Sequence, residues 1–156
     1  MMKLNLTQKE RTLLEDQKSH EQICIEKYTS YANLTQDPEL SQLFNTYANQ
    51  ERQHLNTINQ MLSGTVPNMQ QQGGQQNQQQ MQSGGGQVFQ TKKSDADLCT
   101  DLLMTEKYVS GTYDTAIFEF IDTNARQALN HIQKEEQQHG EGIFNYMQNH
   151  GMYNPK

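Results

Sequence analysis

Two short motifs carry the chemistry this chain could perform: Glu51-Arg52-Gln53-His54 and Glu136-Gln137-Gln138-His139. On a helix, a carboxylate and an imidazole at i and i+3 leave the same face. In both motifs that face is otherwise apolar. Leu40, Phe44, Tyr47, Ile58 and Met61 continue the stripe through Glu51 and His54, and Ala125, Leu129, Ile132, Ile143 and Tyr146 continue it through Glu136 and His139. The spacing predicts that both pairs point into a core, where an unpaired charge costs several kcal/mol even after relaxation. Carboxylate oxygens can bridge two divalent ions and offset their charge while each imidazole ligates one of them, a mixed donor set suited to iron or manganese.

The elements that must position these residues are helices. Residues 6–63 and 94–149 contain one proline between them and almost no β-branched alternation, which favours helix over strand. Pro38 follows Asp37 as a first-turn proline follows an N-cap. The first segment therefore reads as helices over about 7–34 and 38–63. The second breaks near Ile121-Asp122-Thr123-Asn124, giving helices over about 95–120 and 123–149. Between the segments, residues 64–93 hold eleven glutamines and six of the chain's ten glycines. Such a stretch buries too little apolar surface to offset the entropy of ordering it, so a disordered linker is expected.

The two segments also match each other at a constant offset of 85 residues. Glu21 falls on Glu106, Tyr28 on Tyr113, Asp37 on Asp122, Glu51 on Glu136, His54 on His139 and Ile58 on Ile143. The expected fold is thus all-α: a single four-helix bundle over 6–149, built from two hairpins joined by a long glutamine- and glycine-rich crossover. In an antiparallel hairpin, residues equally distant from the turn meet. Glu21 then stands level with Glu51, and Glu106 with Glu136. Glu21 shares its stripe with Leu14, Cys24, Tyr28 and Tyr31, and Glu106 shares its stripe with Leu103, Val109, Tyr113 and Phe120. The candidate metal ligands are therefore Glu21, Glu51, His54, Glu106, Glu136 and His139, for two divalent ions, iron or manganese. One glutamate from each of two helices with Glu-x-x-His from each of the other two is the donor set of dinuclear carboxylate bundles. Glu26 is a competing ligand if Glu26-Lys27-Tyr28 is aligned with Glu106-Lys107-Tyr108, but that register needs a gap and places Glu26 near the turn. A hydrogen-bonded polar layer without metal is the other reading of the same residues.

Other residues carry less. His20, His131 and His150 read as surface or helix-end residues, Cys24 and Cys99 as small buried apolars. Tyr28, Tyr47 and Tyr113 read as core aromatics, any of which could hydrogen-bond a ligand. With 12 Lys+Arg against 18 Asp+Glu the formal charge is −6, and no basic cluster provides a footprint for nucleic acid. No window approaches the length of a membrane span, and Met1-Met2-Lys3-Leu4-Asn5-Leu6 lacks the apolar core of a secretory signal. A soluble chain that begins in the cytoplasm is expected.

The second half also resembles a known family. Asp101-Leu102-Leu103-Met104-Thr105-Glu106-Lys107, then Tyr113-Asp114-Thr115-Ala116, Glu119 and Arg126, and finally Phe144-Asn145-Tyr146-Met147-Gln148-Asn149-His150-Gly151-Met152-Tyr153 are similar to the spore coat protein F family of endospore-forming bacteria. The ending Gly-Met-Tyr departs slightly from that pattern, where an aromatic often precedes the tyrosine. The resemblance implies a ferritin-like fold and a structural component of the spore coat, made in the mother-cell cytoplasm and deposited on the forespore. Its partners would be other coat proteins and further copies of the chain. The paired Glu-x-x-His motifs resemble those of the ferritin and rubrerythrin superfamily. They imply as the alternative a rubrerythrin-like or catalase-like oxidoreductase acting on peroxide or oxygen. In a cross-linked coat, the glutamines beside Lys92 and Lys93 would suit isopeptide bonding.

Overall fold

The computed structural model describes residues 2–67 and 94–153. Four helices dominate it: α1 (Gln8–Leu34), α2 (Pro38–Leu62), α3 (Asp95–Glu119) and α4 (Thr123–Asn149). Each begins at a side chain that accepts a hydrogen bond from an otherwise unpaired first-turn amide. Thr7, Asp37, Ser94 and Asp122 fill this role in turn, and Pro38 occupies the first turn of α2, where its missing N–H costs nothing. The caps place the helix starts within a residue of those expected. Helix α3 stops at Glu119, where Phe120 turns extended and buries its ring.

Helices α1 and α2 form one hairpin and α3 and α4 the other, with α1 against α3 and α2 against α4. Lys9 at the start of α1 pairs with Glu119 at the end of α3, 3.1 Å apart. Near the end of α1, Tyr31 donates to Asp101 close to the start of α3. These two helices are therefore antiparallel, and residues 67 and 94 lie at opposite ends of the bundle, as a crossover requires. The glutamine-rich stretch read as a disordered linker lies outside the described residues, except at its start.

That start departs from expectation. Thr65–Val66 forms a short strand, β2, pairing antiparallel with β1 (Met2–Lys3). Gly64 makes the turn from α2 with φ +99°, a conformation glycine adopts without steric cost, and its carbonyl accepts from the Leu4 amide at 2.7 Å. Leu4 and Val66 are buried as a result. Two paired residues are too few to show as periodicity in a sequence, so the ladder could not be expected.

The core runs the length of the bundle through Leu14, Tyr28, Leu40, Phe44, Ile58, Leu98, Leu102, Leu129, Ile132 and Ile143. Of the apolar stripe positions read from sequence, Tyr31, Tyr47 and Leu103 are only half-buried. One further buried acid ties the hairpins together. Glu10 completes a capping box with Thr7 and also accepts from the Ile121 amide at 2.9 Å, across from the α3–α4 turn. Replacing it with alanine strands two amides at once. We expect Glu10→Ala to lower stability by about 1–3 kcal/mol in urea unfolding, and an unchanged midpoint would contradict this role.

Candidate metal centre

Each of the six candidate ligands is at most 2% exposed. Glu21 comes from α1, Glu51 and His54 from α2, Glu106 from α3, and Glu136 and His139 from α4. The structure brings them together in two overlapping quartets: Glu21, Glu51, His54 and Glu136, and Glu51, Glu106, Glu136 and His139. Within each quartet the donor atoms lie within 4.8 Å of one another. Glu51 and Glu136 belong to both, so each could serve either ion of a pair. Glu26 is exposed, so the gap-free register is the one the fold uses.

Both imidazoles turn Nδ1 inward. His54 Nδ1 lies 3.0 Å from Glu51 and 3.2 Å from Glu136, and His139 Nδ1 lies 3.1 Å from Glu51 and 3.2 Å from Glu106. The outward Nε2 atoms meet Glu135 at 2.8 Å and Gln50 at 2.5 Å. In an uncharged ring, an Nε2–H donating to those oxygens would leave Nδ1 with its lone pair free, the tautomer a ligating histidine needs. Each partner comes from the opposite hairpin, and positions 50 and 135 are themselves related by the 85-residue repeat. Tyr28 donates to Glu106 at 2.6 Å and Tyr113 donates to Glu21, again across hairpins and again repeat-related. Sequence reading had left these tyrosines as core residues able to bond a ligand, and it missed Gln50 and Glu135. Applying the repeat to the residue before each motif glutamate is the signal that would have found them.

Tyr47 stacks on His139, ring centroids 4.1 Å apart. Gly142 makes room for it: a Cβ there would fall 1.8 Å from the Tyr47 hydroxyl. His20 is half-buried against Gln17, Thr112 and Tyr108 rather than free at the surface. His131 bonds Glu135 at 3.1 Å and so supports the His54 partner. Cys24 and Cys99 are buried thiols, and His150 sits at the C-terminus of α4.

Electrostatics decides what the cluster can hold. Burial pushes Glu51 and Glu136 up to about 7, helped by neighbouring carboxylates, and burial with Glu136 nearby pushes Glu106 up to about 8. Burial opposes ionisation of Glu21 too, but the adjacent His54 overrides it and holds that carboxyl at about 2. Burial works against charge on both imidazoles, yet the surrounding carboxylates raise them well above the ordinary histidine value. Protons are thus the charge compensation of the metal-free cluster. They do not complete it, because Glu21 Oε1, Glu106 Oε1 and Glu136 Oε1 are buried with no hydrogen-bond partner beyond the neighbouring carboxyls. Unsatisfied acceptors of this kind cost about 1–3 kcal/mol each. Two divalent ions would neutralise four carboxylates with both imidazoles uncharged and would engage the orphaned oxygens, so the residues present fit such a pair.

A bundle of antiparallel hairpins with this inward layer of carboxylates and imidazoles defines a class, and the fold is ferritin-like. The chain matches the bacterioferritin-related protein from Bacteroides fragilis, a dodecameric thioferritin, with a TM-score of 0.70 over 96% of this chain and 89% of that one, at 17% identity. Within that class, residues 94–156 match the Coat F domain, bearing out the resemblance read from the second hairpin. No curated protein matches the chain.

The pKa shifts set a direction for stability against pH. Carboxyls whose folded values are raised from 4.5 to about 7–8 hold protons that the unfolded chain releases, so their contribution is full below pH 4.5 and is lost as pH rises through 7–8. The raised imidazoles act in the same direction above 6.5. Glu21, depressed to about 2, contributes above 4.5 and is lost only in strong acid. With chelator present, the urea midpoint should therefore fall between pH 5 and pH 8. A midpoint that rises over that range would overturn this account of the cluster.

Proposed function

We propose that the chain is a structural component of the bacterial endospore coat whose bundle binds two iron or manganese ions. Glu51 and Glu136 would bridge them, Glu21 and His54 would complete one position, and Glu106 and His139 the other. The observation that carries the metal reading is the trio of orphaned carboxylate oxygens inside a donor set that two divalent ions would neutralise. The Coat F match supports the coat role. Assembly with other coat proteins and with further copies of the chain follows from that role. Met104, Tyr108, Phe118 and Ile121, all exposed, offer apolar surface for such contacts. Among the described residues no helix is long and apolar enough to cross a membrane.

One experiment addresses both parts. Coat extracts of mature spores should contain the chain, and the protein purified from its host with iron and manganese supplied should hold about two ions, as a bridged pair of sites requires. The double variant Glu51→Ala/Glu136→Ala should still reach the coat and hold none. Its absence from coat extracts would remove the coat reading, and metal-free wild-type protein would remove the centre.

A second reading, an oxidoreductase acting on peroxide or oxygen, is favoured by a groove between α3 and α4 whose lining includes Glu106 and Glu136. Two bound iron or manganese ions with open positions would supply redox chemistry there. This chain's own residues would fix the ligand tautomers through Gln50 and Glu135. Loaded protein should then remove peroxide faster than the double variant, and equal rates would leave the centre structural.

A further inference from the structure

Helix α3 carries a second apolar stripe, on the side away from the core. Met104, Tyr108 and Phe118 are 62%, 63% and 75% exposed. With Gly111 and Thr115, also exposed, they recur at alternating spacings of four and three. A helix turning 100° per residue gathers these five positions into an arc of about 80° and a length of about 21 Å. Core packing does not account for them, since Leu102, Val109, Tyr113 and Ala116 fill the buried face of the same helix. Nor does the repeat. The equivalent positions of α1 are Ser19, Ile23, Glu26, Ser30 and Asn33, the polar set of a solvated face with Ile23 alone apolar. The exposed positions of α4, from Arg126 to Gln148, are all polar or charged.

Gly111 stands in the middle of the stripe. It lies in regular helix without a positive φ, and a Cβ there would meet nothing within 4 Å, so nothing in the chain's own packing requires a glycine. Glycine weakens a helix relative to alanine, and what it permits in return is the close approach of another backbone. Charge is arranged about the same point. Lys107 stands four residues before Gly111 and Asp114 three after it, both exposed and both on the edge of α3 that turns toward α4. Neither has an ion-pair partner among the described residues. Tyr108 marks the opposite edge, its ring 5.4 Å from that of His20 on α1.

We propose that this face binds a second copy of the chain, α3 against antiparallel α3, about a two-fold axis at Gly111. Such a contact joins residues equally distant from the axis and sets each edge of the helix against the same edge of its partner. Met104 of one copy then meets Phe118 of the other, seven residues to either side of Gly111, and the two glycines let the helices close. On the edge nearer α4, Lys107 of each copy faces Asp114 of the other, so a single surface supplies both halves of two charge pairs. The proposal rests on the reading that copies of the chain assemble, and it gives that assembly its face and its geometry.

Sedimentation equilibrium of the full chain tests the contact. Wild type should be a reversible dimer. Gly111→Glu places on the axis the residue type that α1 carries at the equivalent position, where its Cβ clashes with nothing in its own chain. It should weaken dimerisation about a hundred-fold without lowering the urea midpoint of the monomer. Lys107→Glu and Asp114→Lys each set like charges against each other twice, and each should weaken dimerisation about ten-fold at low salt. Mixed in equal amounts, these two single variants should regain wild-type affinity, because their heterodimer restores both opposite-charge pairs. A mixture no tighter than the single variants would overturn the two-fold geometry and the proposal with it. A dimer indifferent to all three substitutions would overturn this face while leaving assembly between copies standing. A wild type that stays monomeric would overturn both, whereas the coat role itself falls only with absence from coat extracts.

Discussion

Four carboxyl groups and two imidazoles in one buried layer of a helical core set the terms for everything around them. Burial alone disfavours every ionised form in that layer, yet the groups cannot all be neutral while packed donor to acceptor. The structure meets the difficulty by proximity: each imidazole faces at least two carboxylates, and Glu51 and Glu136 sit between them. Protons shared over the cluster moderate the charge, while three carboxylate oxygens accept no hydrogen bond from an imidazole, hydroxyl or amide. A purely structural layer would be better served by leucines, since well-packed apolar replacements of buried ion clusters are often neutral or stabilising. The acids therefore cost the metal-free fold stability that apolar side chains would not.

The supporting contacts tie the hairpins to each other rather than each to itself. Tyr28 of the first hairpin bonds Glu106 of the second, and Tyr113 of the second bonds Glu21 of the first. Gln50 holds His139 and Glu135 holds His54 in the same reciprocal way. Tyr47 of α2 lies flat on His139 of α4 because Gly142 leaves space for its hydroxyl. Docking of the hairpins and orientation of the inward groups are consequently one event. Loosening the α1–α3 or α2–α4 contacts would disturb ligand geometry before it unfolded either hairpin.

Much of this was legible in the chain. Asp37-Pro38 and Asp122 mark helix starts because capping and proline geometry are local, and the 85-residue repeat carried Glu21 and Glu106 to their partners because an antiparallel hairpin converts sequence distance from the turn into height. What escaped depends on contacts between helices. Glu10 looks like any first-turn acid until the α3–α4 turn is folded beside it. Tyr47 and Leu103 fall on apolar stripes yet remain half-buried, the first because it flanks His139 at the bundle edge, the second because it borders the groove. Gly142 gives no sign in the sequence of its role, and only the packing shows that a Cβ there would meet the Tyr47 hydroxyl.

The boundaries of the Coat F match sharpen the point. Residues 94–156 contain α3 and α4 and hence Glu106, Glu136 and His139, half of the candidate donors. Alone, that hairpin would present Leu98, Leu102, Leu129 and Ile143 to water, and Glu136 would lack the His54 imidazole that faces it across the bundle. The first hairpin answers both deficits at once, because its repeat-related stripe supplies the apolar face and the missing Glu21, Glu51 and His54 at matching height. A chemistry that needs two ions in one layer thus needs the whole bundle.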